Sequence, residues 1–74
     1  MDTQRLVAMA NDIAAFFDAE SGGAAAEGVR QHLRKFWEPR MRREIIEHLR
    51  KGGGGLCPTA TAAIEKLAAD PSAS

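Results

Sequence analysis

Apolar residues recur along the chain with helical spacing in four blocks, separated by glycine or proline. In the first block Leu6, Met9, Ala10, Ile13, Ala14, Phe16 and Phe17 follow the i, i+3, i+4, i+7 rule and predict a helix over about 3–18. Asp2 stands where its carboxylate can accept from the open N–H groups of the first turn. With Val7 included, the apolar arc spans roughly half of the helical cylinder, wider than the ~100° stripe of an ordinary surface helix. Such an arc is covered by two neighbours, or by one neighbour and a foreign surface. Asn11 and Asp12 fall outside it.

Glu20-Ser21-Gly22-Gly23 ends this helix, because glycine accepts the left-handed conformation common just past a helix C-terminus. The second helix is predicted over about 24–37. Ala25, Ala26, Val29, Leu33, Phe36 and Trp37 form its core face, Arg30, Gln31, Arg34 and Lys35 the opposite face, and His32 the border. Pro39 disfavours a helical Glu38 and suits the first turn of a new helix, so the chain turns at Trp37-Glu38. The third helix, 39–50, carries Met41, Ile45, His48 and Leu49 on one face with Ile46 at its edge. Three pairs at i, i+4 place the acid first, as the helix dipole prefers: Glu38 with Arg42, Glu44 with His48, Glu47 with Lys51.

Gly52 to Gly55 reads as a stop and a flexible joint. A short fourth helix, about 59–69, follows it, with Ala60, Ile64, Leu67 and Ala68 on one face and a less firm packing than the other three. Residues from Asp70 on are expected to fray, with 71–74 a disordered tail. No run alternates apolar and polar residues, so no sheet is expected. The prediction is one all-α domain over residues 1–70: a three-helix body and a fourth helix after the glycine joint.

Composition changes this picture in one respect. Of the 33 hydrophobic residues among 74, 14 are Ala, which leaves 19 larger side chains for a core. At ~1.5 kcal/mol of ordering entropy per residue, a chain of this size comes out near break-even unless a disulfide, a metal or a partner adds stability. One Cys forms no internal disulfide, and two His with one Cys do not complete a four-ligand zinc site. A partner is the supplement left open. The start, MDTQRLVAMAND, lacks a basic region before an apolar run, and no stretch reaches the ~20 apolar residues of a membrane span, so a cytoplasmic protein is expected.

The net charge of zero is a cancellation. Residues 1–28 set Arg5 against Asp2, Asp12, Asp18, Glu20 and Glu27, a balance of −4. Residues 29–51 set Arg30, Arg34, Lys35, Arg40, Arg42, Arg43, Arg50 and Lys51 against Glu38, Glu44 and Glu47, a balance of +5. Either the two halves attract each other within the fold, or the basic middle faces an anionic partner. The second possibility keeps a nucleic-acid-binding module open as an alternative, although a pI near 6.7 does not favour it. Self-association through the wide arc of the first helix is another.

No catalytic constellation emerges. GxSxG, CxxC and HExxH are missing, and the glycine run is followed by Leu-Cys-Pro rather than the Lys-Ser/Thr of a phosphate loop. Cys57 before Pro58 is either a thiol at a helix N-terminus or a structural Cys. His32 and His48 stand on different helices and lack a carboxylate at a fixed offset, a weak metal pattern. Arg42 is more informative, since it falls inside the apolar arc of the third helix while Arg40 and Arg43 lie on the solvent face. A guanidinium there needs a carboxylate or carbonyl, either internal, such as Glu38, or on another protein. Trp37 is either a core anchor or, with arginines around it, a binding anchor.

Two runs resemble a known family: Arg5-Leu-Val-Ala-Met-Ala-Asn-Asp-Ile-Ala-Ala-Phe-Phe17 and His32-Leu-Arg-Lys-Phe-Trp-Glu-Pro-Arg-Met-Arg42. They resemble the small delta subunit of soluble NAD-dependent formate dehydrogenases over roughly residues 3–68, and Phe-Trp-acid-Pro-Arg-Met-Arg is the specific part. The resemblance implies a non-catalytic accessory subunit that aids assembly or stability and carries no cofactor or metal. Molybdopterin (with molybdenum or tungsten), iron–sulfur clusters, FMN and the NAD site would lie on partner subunits, which oxidise formate to CO2 and reduce NAD+. Trp37, Pro39, Arg40, Arg42 and Arg43 are the expected contacts to the large subunit.

Overall fold

The computed structural model describes residues 2–70 and is all-α, with no strand among them. Helix α1 spans Thr3–Ser21, α2 Ala25–Phe36, α3 Pro39–Arg50 and α4 Pro58–Ala69. A single 3-10 turn, Gly22–Ala24, joins α1 to α2. The expected tail 71–74 lies outside the described residues.

Local signals account for the helix ends. The Asp2 carboxylate accepts from the Gln4 N–H at 3.2 Å and caps α1. That helix runs past its expected end to Ser21 and stops at Gly22. Trp37 (φ −86°, ψ 139°) and Glu38 (φ −66°, ψ 154°) are extended before Pro39, which occupies the first turn of α3. Pro58 opens α4 in the same way.

The core draws on all four helices. Leu6, Ala10 and Ala14 come from α1, Ala25, Val29 and Leu33 from α2, and Ile45 and Ile46 from α3. Ala60, Ala63, Ile64 and Leu67 come from α4, all four with no exposed surface. The fourth helix, expected to pack less firmly, is therefore central: it lies chiefly against α2 and also touches α1 and α3. Its buried face includes Ala63, while Ala68 is exposed. Five of the thirteen buried hydrophobic residues are Ala, so the alanines that seemed to dilute the core fill positions where helices meet.

The glycine run is not a loose joint. The Gly53 N–H donates to the His48 carbonyl and the Gly52 N–H to that of Leu49, both at 3.0 Å, the paired bonds of a Schellman cap. Gly52 (φ 122°) and Gly53 (φ 66°) take the positive φ that this closure requires. Beyond the cap, His48 Nε2–H donates to the Gly54 carbonyl at 2.8 Å. Asn11 Nδ2 donates to the Gly55 carbonyl at 2.8 Å, and Asn11 Oδ1 accepts from the Cys57 N–H at 2.9 Å. One α1 side chain thus fixes the path from α3 into α4.

Polar contacts between elements complete the frame. Thr3 Oγ1 donates to Glu44 on α3, and Thr59 Oγ1 on α4 donates to Asp18, both at 2.6 Å. Asp70, expected to fray, accepts from Arg30 at 2.9 Å and lies 3.1 Å from Arg34, tying the end of α4 to α2. Attraction between the acidic first segment and the basic middle is confined to Glu27 and Arg30, which pair within α2; among the described residues, no α1 carboxylate forms an ion pair with α2 or α3. Nor do the three i, i+4 pairs of α3 form. Glu44 accepts from Thr3, His48 serves Gly54, and Arg42 turns to backbone carbonyls.

Candidate functional site

The turn between α2 and α3 divides its distinctive residues into two groups. Trp37 is 5% exposed and belongs to the core cluster, so its indole anchors the turn from inside and presents no knob to a partner. Arg42 is half-buried, and its Nη1 donates to the Trp37 carbonyl and, at 3.2 Å, to that of Arg34. These are last-turn carbonyls of α2, at the negative end of its dipole, where a cation is favoured. The partner required by a guanidinium in an apolar arc is therefore the backbone of the preceding helix rather than Glu38. Its Nε is buried without a hydrogen bond. Pro39, Arg40 and Arg43 remain on the surface.

A second surface, on α1 and α2, was not singled out from the sequence. Phe16 is 61% and Phe36 70% exposed, although both fall within the apolar faces expected of their helices. Phe17 and His32 lie between them, half-buried. Consecutive ring centroids are 5.4 Å apart for Phe16–Phe17, 6.4 Å for Phe17–His32 and 4.8 Å for His32–Phe36. The first two contacts are edge-to-face, an arrangement that aromatic quadrupoles favour. The row depends on Gly28: a Cβ there would stand 2.6 Å from the Phe17 ring. Glycine inside a helix is unfavourable by roughly 0.5–1 kcal/mol against Ala, and close approach of Phe17 is what it permits here. The signal available in the sequence was the half-cylinder arc of α1, too wide for the neighbours the chain provides.

Beside the aromatic row, Arg30, Gln31, Arg34 and Lys35 wall a basic cleft on α2. Arg30 Nε bridges both oxygens of Glu27 at 3.0 and 3.1 Å, and Gln31 donates to the same carboxylate at 3.2 Å. The Arg30 guanidinium, with help from Gln31, holds the Glu27 carboxyl at about 2, below its ordinary 4.5. The same hydrogen bond raises the Arg30 pKa.

The remaining candidates go to separate places. His32 joins the aromatic row and His48 the glycine cap, so the two histidines have different work. Cys57 is partly exposed, and its backbone receives the Asn11 clamp. Among the described residues, no group of three His, Cys, Asp or Glu side chains is placed to hold a metal ion, and no helix is long and apolar enough to cross a membrane.

Comparison with known proteins gives one positive result. The family model FdsD, the NADH-dependent formate dehydrogenase delta subunit, matches residues 5–64, which includes α1 from Arg5, all of α2 and α3, the glycine cap and the first half of α4. No curated protein and no solved structure matches. The matched span contains both the Trp37–Arg43 turn and the aromatic row, and it covers most of the 74 residues; the chain belongs to the FdsD family of formate dehydrogenase delta subunits.

Proposed function

We propose that this chain is a non-catalytic accessory subunit of a cytoplasmic NAD-dependent formate dehydrogenase, and that it aids assembly or stability of the complex through contact with the large subunit. The family match over residues 5–64 carries this reading. The fold supports it in the character of its surface: the distinctive side chains either lock the four helices together, as Trp37, Arg42 and Asn11 do, or lie open to a partner. Pro39, Arg40 and Arg43 are available for such contact, with charge-assisted bonds from the arginines to acidic or carbonyl groups. Trp37 and Arg42 contribute by holding the turn behind them. Formate oxidation, with its molybdopterin, iron–sulfur clusters, FMN and NAD site, is assigned to the partner subunits.

The test is to express the complex with and without this chain. The expected result is that the chain co-purifies with the large subunit and that its omission lowers the yield of assembled complex. Formate-dependent NAD+ reduction per assembled complex should stay within about twofold, since binding that stabilises an assembly acts through mass action rather than on the chemical step. A fully assembled complex that turns over only when the chain is added would refute the non-catalytic role. Failure to co-purify would refute the subunit role.

A further inference from the structure

The two flanks of the aromatic row carry opposite charge. On the α1 side a depression of about 280 Å3 is walled by Ile13, Phe16, Phe17 and His32, with Asp12 at its rim. On the α2 side a second one, of about 170 Å3, runs from Phe17 and His32 over Gly28 to Phe36, with Lys35 and Gln31 at its rim. Phe17 and His32 wall both depressions and form the middle of one continuous face. Asp12 and Lys35 are exposed, and neither takes part in an ion pair among the described residues. Arg30 and Arg34, farther round α2, are already paired with Glu27 and Asp70. Nothing in the fold of residues 2–70 covers Phe16 or Phe36. Isolated exposed apolar side chains are ordinary, but a contiguous row of them rimmed by charge marks an interaction surface.

From this arrangement we infer that the α1–α2 face docks a second copy of this chain, related to the first by a two-fold axis. Patches that meet across such an axis must be self-complementary, and opposite unpaired charges on the two flanks of an apolar row meet that condition. With the axis along the middle of the face, near Phe17 and His32, the Asp12 side of each copy lies on the Lys35 side of the other. The outer phenylalanines of each copy pack on the rings opposite, and two Asp12–Lys35 pairs flank them. A wholly acidic partner is opposed at Asp12 and a wholly basic one at Lys35, because like charges brought together resist association. The second copy satisfies both flanks at once. Pro39, Arg40 and Arg43 line neither depression, so self-association and the proposed contact of the turn with the large subunit use different residues.

The experiment measures the mass of the full chain by sedimentation equilibrium between ~10 µM and ~1 mM, with circular dichroism as the check on folding. The wild type is expected to pass from monomer to dimer as concentration rises. Phe16→Ser/Phe36→Ser removes two exposed rings per copy, should keep its helical signal, and should weaken the dimer at least about tenfold, as for loss of an aromatic anchor. Asp12→Lys and Lys35→Glu, each alone, bring like charges together at both flanks. Each should weaken the dimer roughly tenfold, with the loss diminishing at high salt. Mixed in equal amounts, these two single variants should associate again, since the two cationic flanks of one then meet the two anionic flanks of the other. Should the double variant lose its helical signal, the charge variants carry the test alone, because their sites are exposed and unpaired. A chain that stays monomeric throughout, a dimer that keeps its strength in a folded double variant, or a mixture that does not recover overturns the inference and leaves the subunit role standing. A monomeric chain whose folded double variant no longer co-purifies with the large subunit gives the face to that subunit and overturns the inference as well.

Discussion

Replacing Asn11 by Ala tests whether the Gly52–Gly55 segment is fixed or free. The side chain makes two hydrogen bonds to a backbone more than forty residues away: it donates to the Gly55 carbonyl at 2.8 Å and accepts from the Cys57 N–H at 2.9 Å. Hydrogen bonds of this kind contribute ~0.5–1.5 kcal/mol each, and because the Gly55 bond is exposed while that to Cys57 is partly buried, roughly 1–2 kcal/mol is expected in all. For a chain of this size each kcal/mol shifts the unfolding midpoint by ~4–8 °C. Asn11→Ala is thus expected to unfold roughly 5–15 °C below the wild type. Asn11→Asp should not rescue it at neutral pH: the acceptor for Cys57 is kept, but a carboxylate oxygen then faces the Gly55 carbonyl where a donor stood. Circular dichroism gives the midpoint, and native-state hydrogen exchange at the Cys57 amide gives the local effect. An unchanged midpoint, or a Cys57 amide that exchanges freely in the wild type, would show that the segment is a loose joint and that α4 is held without the Asn11 clamp, by its apolar face and its contacts to Asp18, Arg30 and Arg34.

Three further outcomes follow from the same structure. Arg42→Ala, which removes the guanidinium from the Trp37 and Arg34 carbonyls, is expected to lower stability by about 2 kcal/mol, as for charge-assisted bonds; Arg42→Lys should recover part of this, with urea midpoints as the measure. Gly52→Ala, at φ 122°, should cost on the order of 1 kcal/mol or more, while Gly54→Ala, with a negative-φ-compatible backbone and no atom within 4 Å of the added carbon, should be neutral or slightly stabilising through the unfolded chain. Finally, the Glu27 carboxyl is held at about 2 in the fold against 4.5 in its ordinary state, so its contribution is fully present above about pH 5 and is lost as pH falls through 4.5 toward 2. The wild type and Glu27→Gln should therefore differ in unfolding midpoint at pH 7 and converge near pH 2, and parallel curves would refute the Arg30–Glu27 coupling.

The local chemistry of the chain determined its helices. Asp2 has a side chain that caps, Pro39 fixes the turn before α3, and apolar residues at helical spacing leave no room for a sheet. These features act within one or two turns, so they are readable without knowing what lies across the molecule. The Phe-Trp-Glu-Pro-Arg-Met-Arg run carried the family in the same way. Periodicity gives the angle of a side chain about its own helix axis, but not which neighbour covers that angle. Phe16 and Phe36 share an arc with buried residues and are exposed because α4 packs against other parts of α1 and α2. Asn11, polar and outside the arc, had no local partner to announce it; its partners are supplied only when the chain returns 44 residues later. Arg42 did announce a need, and the fold decided that carbonyls of α2 would meet it. Tertiary structure therefore turned a glycine run into a fixed cap, decided for Trp37 between core anchor and binding anchor in favour of the core, and left the α1–α2 aromatics as the open apolar face, because coverage and long-range hydrogen bonds depend on how the helices are assembled in space.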